Sequence, residues 1–270
     1  MLSFIFRFRQ LFFPKETDAS IEDLKRDIQN KSESLLRERE DLFKRAEQLR
    51  IDFVANVSHE LRTPLTSIKG YTDTLMEDLR LGRPVEIEYL DAISRNANRL
   101  MSLISDLLDL SSLESTEVLQ KTIVATPEIS SRAIKSLQTN FDAKKQTIEI
   151  KFGVDTISAD VRRLEQVLIN LLDNANKYTP VNGQIEVIWD QDESNYYLKI
   201  KDNGPGIPTE HQSRLFERFY RVDKARSREV GGTGLGLAIV KHIMQCHEGS
   251  ISVENNPTKG SMFICQFPKK

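Results

Sequence analysis

Residues 53–71 read FVANVSHELRTPLTSIKGY, part of an apolar helical pattern that runs on to the turn signal LGRP at residues 81–84. A second helical pattern follows, through Tyr89, Leu90, Ile93, Ala97, Leu100, Ile104, Leu107 and Leu108. Two amphipathic helices joined by a short turn predict an antiparallel hairpin. Each helix keeps an apolar stripe wider than one partner can cover, so we expect two hairpins to pair as a four-helix bundle in a homodimer.

Upstream of the hairpin, residues 17–57 predict one long helix. Its apolar residues recur every seven positions, at Ile21, Ile28, Leu35, Leu42 and Leu49. The companion positions are mixed, because Leu24 is apolar whereas Lys31, Glu38 and Arg45 are charged. This pattern favours a weak two-helix coiled coil.

The first fourteen residues, MLSFIFRFRQLFFP, are apolar but interrupted by Arg7 and Arg9. They are too short for a spanning helix, which needs about 20 apolar residues, and they lack a signal-peptide cleavage site. Two interpretations stay open: a tail or apolar segment packed on its own domain, or a basic-aromatic segment at a membrane surface. We expect no transmembrane helix and a cytoplasmic protein, with or without peripheral contact at the inner face of the cell membrane.

The composition excludes several classes of protein. The 270 residues include 38 Lys and Arg against 40 Asp and Glu, and 39% are apolar. This balance allows a hydrophobic core and gives no general attraction to nucleic acid. Cys246 and Cys265 are too few for a disulfide scaffold or a four-cysteine zinc site, and they fit a reduced compartment.

The composition changes near Ser111, where residues 111–129 predict a linker with an entering strand. Short strands and helices then alternate. The predicted strands are QTIEIKF (146–152), GQIEVIWD (183–190), YYLKIKDN (196–203), SISVEN (250–255) and SMFICQF (261–267), and the helices lie near 127–144, 161–177 and 233–247. This mixture indicates an α+β sandwich rather than a doubly wound parallel sheet.

His59 is the first candidate for chemistry. It lies on the outward face if Val57 and Leu61 are core positions, next to Glu60 and close to a mid-helix proline, Pro64. A neutral imidazole is a nucleophile, and a neighbouring carboxylate can hold its other N–H. A lone histidine is also a common surface residue, so spacing alone leaves both interpretations open.

Asn170 and Asn174 lie four residues apart in LEQVLINLLDNANKYTP, residues 164–180, and therefore on one helical face. Their amide oxygens could bind Mg²⁺, with Lys177 neutralising a phosphate. Alternatively, they are capping residues of a helix that ends before Pro180.

The turn DNGPGIP, residues 202–208, fixes Asp202 where it could accept a hydrogen bond from an exocyclic amine.

Gly231, Gly232, Gly234 and Gly236 precede an apolar helix, an arrangement that favours anions. No strand precedes them, and GK[ST], HRD and DFG motifs are absent, which argues against Rossmann, P-loop and protein-kinase sites. A nucleotide site with a lid at residues 222–232 remains, against a glycine-rich helix start without a ligand. Arg218 and Arg221, just before the lid, are either surface charges or phosphate contacts.

The order of these motifs resembles the transmitter module of two-component sensor histidine kinases. The motifs are SHELRTPL (58–65), NLLDNANKYTP (170–180), DNGPGIP (202–208), FERFYR (216–221) and GGTGLGLAI (231–239). The resemblance covers residues 50–270 and looks closest to phosphate-regulon and cell-wall sensor kinases. It implies a fold of class α plus α+β: the dimeric helical hairpin, followed by an α/β-sandwich ATP-binding domain of the type shared with gyrase and heat-shock chaperones.

The resemblance also implies a division of the chain into four parts. These are an N-terminal apolar-basic segment (1–16), a coiled-coil signalling helix (17–50), a dimerisation and histidine-phosphotransfer domain (51–115) and a catalytic ATP-binding domain (116–270). Only about 50 residues precede the phosphoacceptor region, so the input would be a partner that docks on residues 1–50, or the chain is a fragment or an orphan kinase.

The implied activity is autophosphorylation of His59 by ATP, followed by transfer to an aspartate of a response regulator. Glu60 would accept the ring N–H of His59, and Thr63 would help a water to remove phosphate from the regulator. Pro64 and residues 111–122 are candidate hinges for the domain motion that this transfer needs.

In the ATP site, the resemblance implies that Asn174 binds Mg²⁺, with Asn170 and Lys177 near the phosphates, while Asp202 reads the adenine amine. The other implied ATP-binding residues are Tyr178, Gly204, Gly206, Arg218, Arg221, Gly232, Thr233, Gly234, Leu235 and Gly236. Two alternatives are weighed against this reading: an ATP-binding scaffold without histidine chemistry, and a gyrase-type ATPase. The latter would use a catalytic carboxylate where this chain has Asn170.

Overall fold

A computed structural model describes residues 16–114, 119–223, 232–256 and 259–269. The chain divides into two compact units, residues 1–59 and 60–270. The helices are α1 (Glu16–Arg80), α2 (Ile87–Glu114), α3 (Thr126–Ser136), α4 (Gln138–Ala143), α5 (Val161–Tyr178), α6 (Thr209–Gln212) and α7 (Gly236–Cys246). The strands are β1 (Lys121–Ala125), β2 (Thr147–Phe152), β3 (Thr156–Asp160), β4 (Gln184–Gln191), β5 (Asn195–Asp202), β6 (Ser250–Asn255) and β7 (Ser261–Pro268).

The predicted helical hairpin is confirmed. Helix α1 ends at Arg80 and α2 begins at Ile87, and Gly82 takes a positive φ of 68° in the turn between them. Leu75, Ala92 and Leu103 are buried between elements. Other apolar residues of the predicted stripes are exposed in the single chain: Leu65, Leu79, Leu90, Ile104 and Leu108. The hairpin thus presents an apolar face that its own chain does not cover.

The long helix upstream is also present, and Ile28, Leu35 and Leu42 of its seven-residue repeat are exposed. Residues 1–15, which include the basic-aromatic segment, lie outside the described residues. Within the described part of the chain, no helix combines the length and apolarity that a membrane span requires.

The α+β sandwich is built on a five-stranded sheet of order β2-β4-β5-β7-β6, in which only the β2–β4 pair is parallel. Buried residues alternate with more exposed ones along β4 and β7. One face of the sheet is therefore apolar and buried, and the other is more accessible to solvent. The apolar stripe of α5 contributes to the core with Leu164, Val167, Leu168, Leu171 and Leu172, all fully buried. This packing fixes the opposite, polar face of α5 as an accessible surface.

Four details differ from the sequence-based expectations. The segment expected to be a linker from Ser111 stays helical to Glu114, because Leu110 and Leu113 are buried. Strand β3 was not predicted; it pairs with β1 in a separate two-stranded sheet and buries Ile157 and Ala159. The helix expected near 127–144 is two helices, α3 and α4, that meet at Leu137.

The helix expected from residue 233 begins only at Gly236. The reason is Gly234, whose φ of 78° is incompatible with an α-helix. Residues 232–235 therefore form a loop that leads into the N-terminus of α7.

Trp189 offers a test of the core. It is 1% exposed, and its Nε1–H donates a hydrogen bond of 2.8 Å to Ser130 Oγ. We expect Trp189→Phe to lower the free energy of unfolding by about 2 kcal/mol, since it leaves a cavity and removes a buried hydrogen bond. Circular dichroism in urea would measure the change, because Trp189 is the only tryptophan and fluorescence would lose its probe.

A double-mutant cycle with Ser130→Ala separates the two contributions. A coupling energy near zero between the two substitutions would show that the hydrogen bond contributes nothing to stability.

His247 predicts a pH dependence of stability. Its Nε2 accepts a hydrogen bond from Asp160 N, its Nδ1 faces Ile243 O, and burial lowers the pKa of the ring below 6.5. The unfolded chain then binds the extra proton first, so the stability is complete above about pH 6.5 and declines as pH falls toward the folded-state pKa. The slope reaches at most about 1.4 kcal/mol per pH unit. His247→Gln should flatten it, as measured by urea unfolding at pH 5.5 and 7.5; an unchanged slope would contradict the prediction.

Candidate nucleotide site and phosphoacceptor segment

A cavity of about 390 Å³ opens beside the polar face of α5. It brings together these expected residues: Asn170, Asn174, Lys177, Tyr178, Asp202, Gly206, Arg221, Gly232, Thr233, Gly234 and Gly236. Three expected residues do not line it. Gly204 and Leu235 are buried without lining the cavity, and Arg218 is exposed to solvent.

Helix α5 supplies five of the lining side chains, because residues three and four apart share a face. Asn170 donates a hydrogen bond of 3.3 Å to Gly236 O, which links the helix to the glycine loop. One turn on, Lys177 pairs with Asp173 at 2.6 Å. Nearby Asn174 and Tyr178 complete the row on the cavity wall. One face of α5 therefore presents amide groups, a cation and an aromatic ring to the cavity, where a nucleotide could contact them.

Two side chains that no sequence motif identified hold the end of α5. Lys144 Nζ donates to the carbonyl oxygens of Asn176 and Lys177 at 2.6 and 2.9 Å. Buried Gln146 donates to Thr179 O at 2.8 Å. These bonds satisfy carbonyl groups that a helix end leaves open.

Asp202 is 5% exposed at the end of β5 and lines the cavity. Its carboxylate accepts hydrogen bonds from Gly204 N at 2.8 Å and from Ser261 Oγ at 2.5 Å. A side chain at Gly204 would lie 2.8 Å from Asp202 Oδ1, so this glycine permits close packing rather than an unusual φ. Gly206 is different, because it lines the cavity with a φ of 78°. The two donors hold the Asp202 carboxylate in one orientation.

The glycine loop, residues 232–236, closes the cavity at the N-terminus of α7. Phe219 N donates to Gly234 O at 2.9 Å, and Arg221 Nη2 donates to Gly232 O at 2.6 Å. A helix N-terminus with free N–H groups favours an anion. Gly231 and most of the expected lid, residues 224–231, lie outside the described residues.

The segment around His59, the expected phosphoacceptor, lies on α1, which runs through Pro64 without a break. His59 is exposed, as expected from its position on the outward face, and Thr63 is half-buried. Glu60 Oε2 accepts from Arg99 at 2.9 Å and from Arg221 at 3.1 Å. Burial lowers the pKa of Arg221, and the charge of Glu60 opposes that shift. Two guanidinium groups thus share the carboxylate that the resemblance assigns to His59.

Sequence reasoning missed the contribution of the hairpin to the cavity. Ser102 and Asp106 of α2 line it, and Asp106 Oδ2 accepts a hydrogen bond of 2.6 Å from Thr233 Oγ1. Burial raises the pKa of Asp106, while the bond from Thr233 lowers it. The two residues are 127 positions apart, and no local pattern signals their contact.

The side chains that line the cavity determine whether a metal ion can bind there. Among the described residues, no group of three or more His, Cys, Asp or Glu side chains could hold one. The cavity does present the amide oxygen of Asn174, a hard ligand. Mg²⁺ needs only one or two protein oxygens when substrate phosphates supply the others. The residues therefore fit Mg²⁺ as a companion of a nucleotide rather than as a resident ion.

Comparisons with known proteins support both halves of the site. The domain family "His Kinase A (phospho-acceptor) domain" matches residues 49–116. The family "Histidine kinase-, DNA gyrase B-, and HSP90-like ATPase" matches residues 159–270. The chain is 39% identical to the phosphate regulon sensor protein PhoR of Pseudomonas aeruginosa over 226 residues, 82% of this chain and 50% of that protein. The sensor protein SrrB of Staphylococcus aureus is 37% identical over 83% of this chain and 39% of its own length.

Solved structures agree. The Acinetobacter baumannii histidine kinase AdeS superposes with a TM-score of 0.63 at 30% identity, over 78% of this chain and 97% of that one. The histidine kinase ThkA, solved in complex with the response regulator protein TrrA, gives 0.68 at 27% identity over 84% of this chain and 64% of that one. The chain spans half or less of the length of PhoR and SrrB.

Proposed function

Because the chain belongs to the sensor histidine kinase family, we propose that it transfers the γ-phosphoryl group of ATP to His59 and then to an aspartate of a response regulator. The observation that carries this proposal is the convergence of Asn174, Lys177, Asp202 and the glycine loop on one cavity. A catalytically silent scaffold would need a cavity that binds ATP, but it would not need a histidine that accepts the phosphoryl group. A gyrase-type ATPase would need no phosphoacceptor helix.

The proposed step balances as a substitution at phosphorus. The unprotonated ring nitrogen of His59 attacks the γ-phosphorus, the bond from that phosphorus to the β–γ bridging oxygen breaks, and ADP leaves. Glu60 holds the N–H of the other ring nitrogen and stabilises the imidazolium. Arg99 and Arg221 both donate to Oε2 of Glu60, so Oε1 is the oxygen of this carboxylate that these two bonds leave for the imidazole.

In the ATP site, we assign Asp202 to the exocyclic amine of adenine and Tyr178 to the ring face. Lys177 and the N–H groups of the glycine loop would contact phosphate oxygens. Asn174 would supply the protein oxygen for Mg²⁺, which neutralises charge on the phosphates when bound. Arg221 reaches the same cavity and is the better candidate for the γ-phosphate than exposed Arg218.

The partners follow from the exposed surfaces. The uncovered apolar face of the hairpin, with Leu65, Leu79 and Leu108, fits a second copy of the chain in a four-helix bundle. The complex of ThkA with TrrA supports a response regulator as the acceptor, with Thr63 assisting dephosphorylation. We place the protein in the cytoplasm, with residues 1–50 as the region for an upstream partner or a membrane surface.

The test is incubation of the full chain with γ-labelled ATP and Mg²⁺. We expect label on the protein that survives alkali and is lost in acid, the signature of a phosphoramidate. A monomeric regulator with a free aspartate should then remove it. ATP binding without label would support the scaffold, and release of inorganic phosphate without any phosphoprotein would support the gyrase-type ATPase.

A further inference from the structure

Two carboxylates of the hairpin hold the glycine loop. Asp106 on α2 accepts the hydroxyl of Thr233 at 2.6 Å, and Thr233 Oγ1 in turn accepts Leu235 N at 3.2 Å, just before α7. Glu60 on α1 binds Arg221, which also donates to Gly232 O. The loop is thereby tied to both helices of the hairpin.

The groups held in this way are those that bind anions. A loop hydroxyl, the N–H groups at the start of α7 and a guanidinium all face the cavity side of the loop. Asp106 lines the same cavity as Lys177 and Asn174. Its carboxylate therefore occupies the kind of environment that a phosphate oxygen would take.

A nucleotide polyphosphate cannot share this environment without cost. Its negative charges would approach the carboxylate of Asp106 inside a partly enclosed cavity, where like charges repel more strongly than in water. Burial raises the pKa of Asp106 and the charges of Asp109 and Asp173 add to the rise, whereas the bond from Thr233 and the charge of Lys177 oppose it. Withdrawal of Asp106 from the loop would relieve this repulsion.

We propose that Asp106 is an internal competitor of the nucleotide phosphates, so that binding of a nucleoside triphosphate releases the glycine loop from α2. This inference rests on the proposed ATP site. It adds that the hairpin-bound form has low affinity for ATP, and that filling the cavity frees the hairpin from the loop. Nucleotide binding then favours release of the hairpin, and release of the hairpin favours nucleotide binding by the same factor.

The test compares ATP and adenosine on the full chain, wild type beside Asp106→Asn. Asparagine keeps the size and an oxygen acceptor for Thr233 but removes the charge. We expect ATP to bind at least about fivefold more tightly to the variant, the lower end of typical couplings. Adenosine, which has no phosphate, should bind both proteins equally. Calorimetry measures ATP, and ligand-observed NMR measures the weaker adenosine.

Asp91→Asn is the matched control, because it removes the same charge from an exposed position on the same helix and should leave ATP affinity unchanged. Equal or weaker ATP binding by Asp106→Asn would overturn the inference, as would equal tightening of ATP and adenosine. If wild type and variants all fail to bind ATP, the proposed function itself fails and the inference falls with it.

A measurement on the wild-type protein guards against a folding defect in the variant. Amide hydrogen exchange in residues 102–110 should increase when ATP is added and stay unchanged with adenosine, because only the polyphosphate displaces Asp106. No increase with ATP at saturation would count against the competition.

Discussion

Substitution of His59 by glutamine should reduce the acid-labile, alkali-stable phosphoprotein to background. The amide nitrogen of glutamine has no available lone pair, so it cannot attack phosphorus as an imidazole does. The side chain is exposed on α1, and the substitution therefore leaves packing intact. ATP affinity should remain within about twofold of wild type, since a surface substitution away from the nucleotide rarely changes free energies by more than about 0.5 kcal/mol.

The measurement is filter-bound label after incubation with γ-labelled ATP, with His242→Gln as the control. His242 is half-buried on α7, where its Nε2 lies 3.0 Å from Leu113 O, and it lines no part of the cavity. Label retained in full by His59→Gln, or lost equally in both variants, would remove His59 from its assigned role.

Asp202→Asn should lower ATP affinity by about 10- to 100-fold. A hydrogen bond to a charged group contributes about 1.5–3 kcal/mol, and the amide that replaces it would also present a donor toward the donor amine of adenine. The bonds from Gly204 N to Oδ1 and from Ser261 Oγ to Oδ2 hold the carboxylate in place, and an amide keeps an oxygen acceptor for only one of them. Calorimetric titration with ATP would measure the loss.

Asp190→Asn is the control for this substitution. Asp190 lies on the neighbouring strand β4, where it pairs with Lys199 at 2.9 Å on the exposed face of the sheet. It should bind ATP as the wild type does. An Asp202→Asn protein that binds ATP and GTP with unchanged affinities would show that Asp202 does not read the base.

The sequence allowed the elements of the site to be predicted wherever the information is local. The four-residue spacing of Asn170 and Asn174 placed them on one face, and the turn after β5 placed Asp202 at a strand end. Contacts between distant segments were not predictable. Asp106 meets Thr233 and Glu60 meets Arg221 because the hairpin packs on the glycine loop, and that packing depends on shape rather than on any repeat in the chain. Ser261, 59 residues after Asp202, was missed for the same reason.

The sequence also misplaced the start of the linker. Periodicity weakens after Ser111, yet the helix continues because Leu113 is buried and because polar side chains near it have partners outside the hairpin. Ser112 and Asp109 bind Arg163, a side chain that is 2% exposed at the start of α5. Burial of the last turn of α2 therefore stabilises the helix in spite of the polar composition that predicted a linker.

Those partners of Arg163 have a mechanical consequence. Gln166 also binds Asp109 at 2.9 Å, so the last turn of α2 is fastened to α5 of the ATP-binding domain. A rotation that lifts this turn from α5 would separate the carboxylate of Asp109 from the guanidinium of Arg163 and break the hydrogen bond from Gln166. A rotation about a point earlier in α2 would leave these contacts intact, and the last turn of α2 would then move together with α5 as one rigid body. The distance from the point where α2 bends to the end of the helix would determine how far the ATP-binding domain moves for a given rotation.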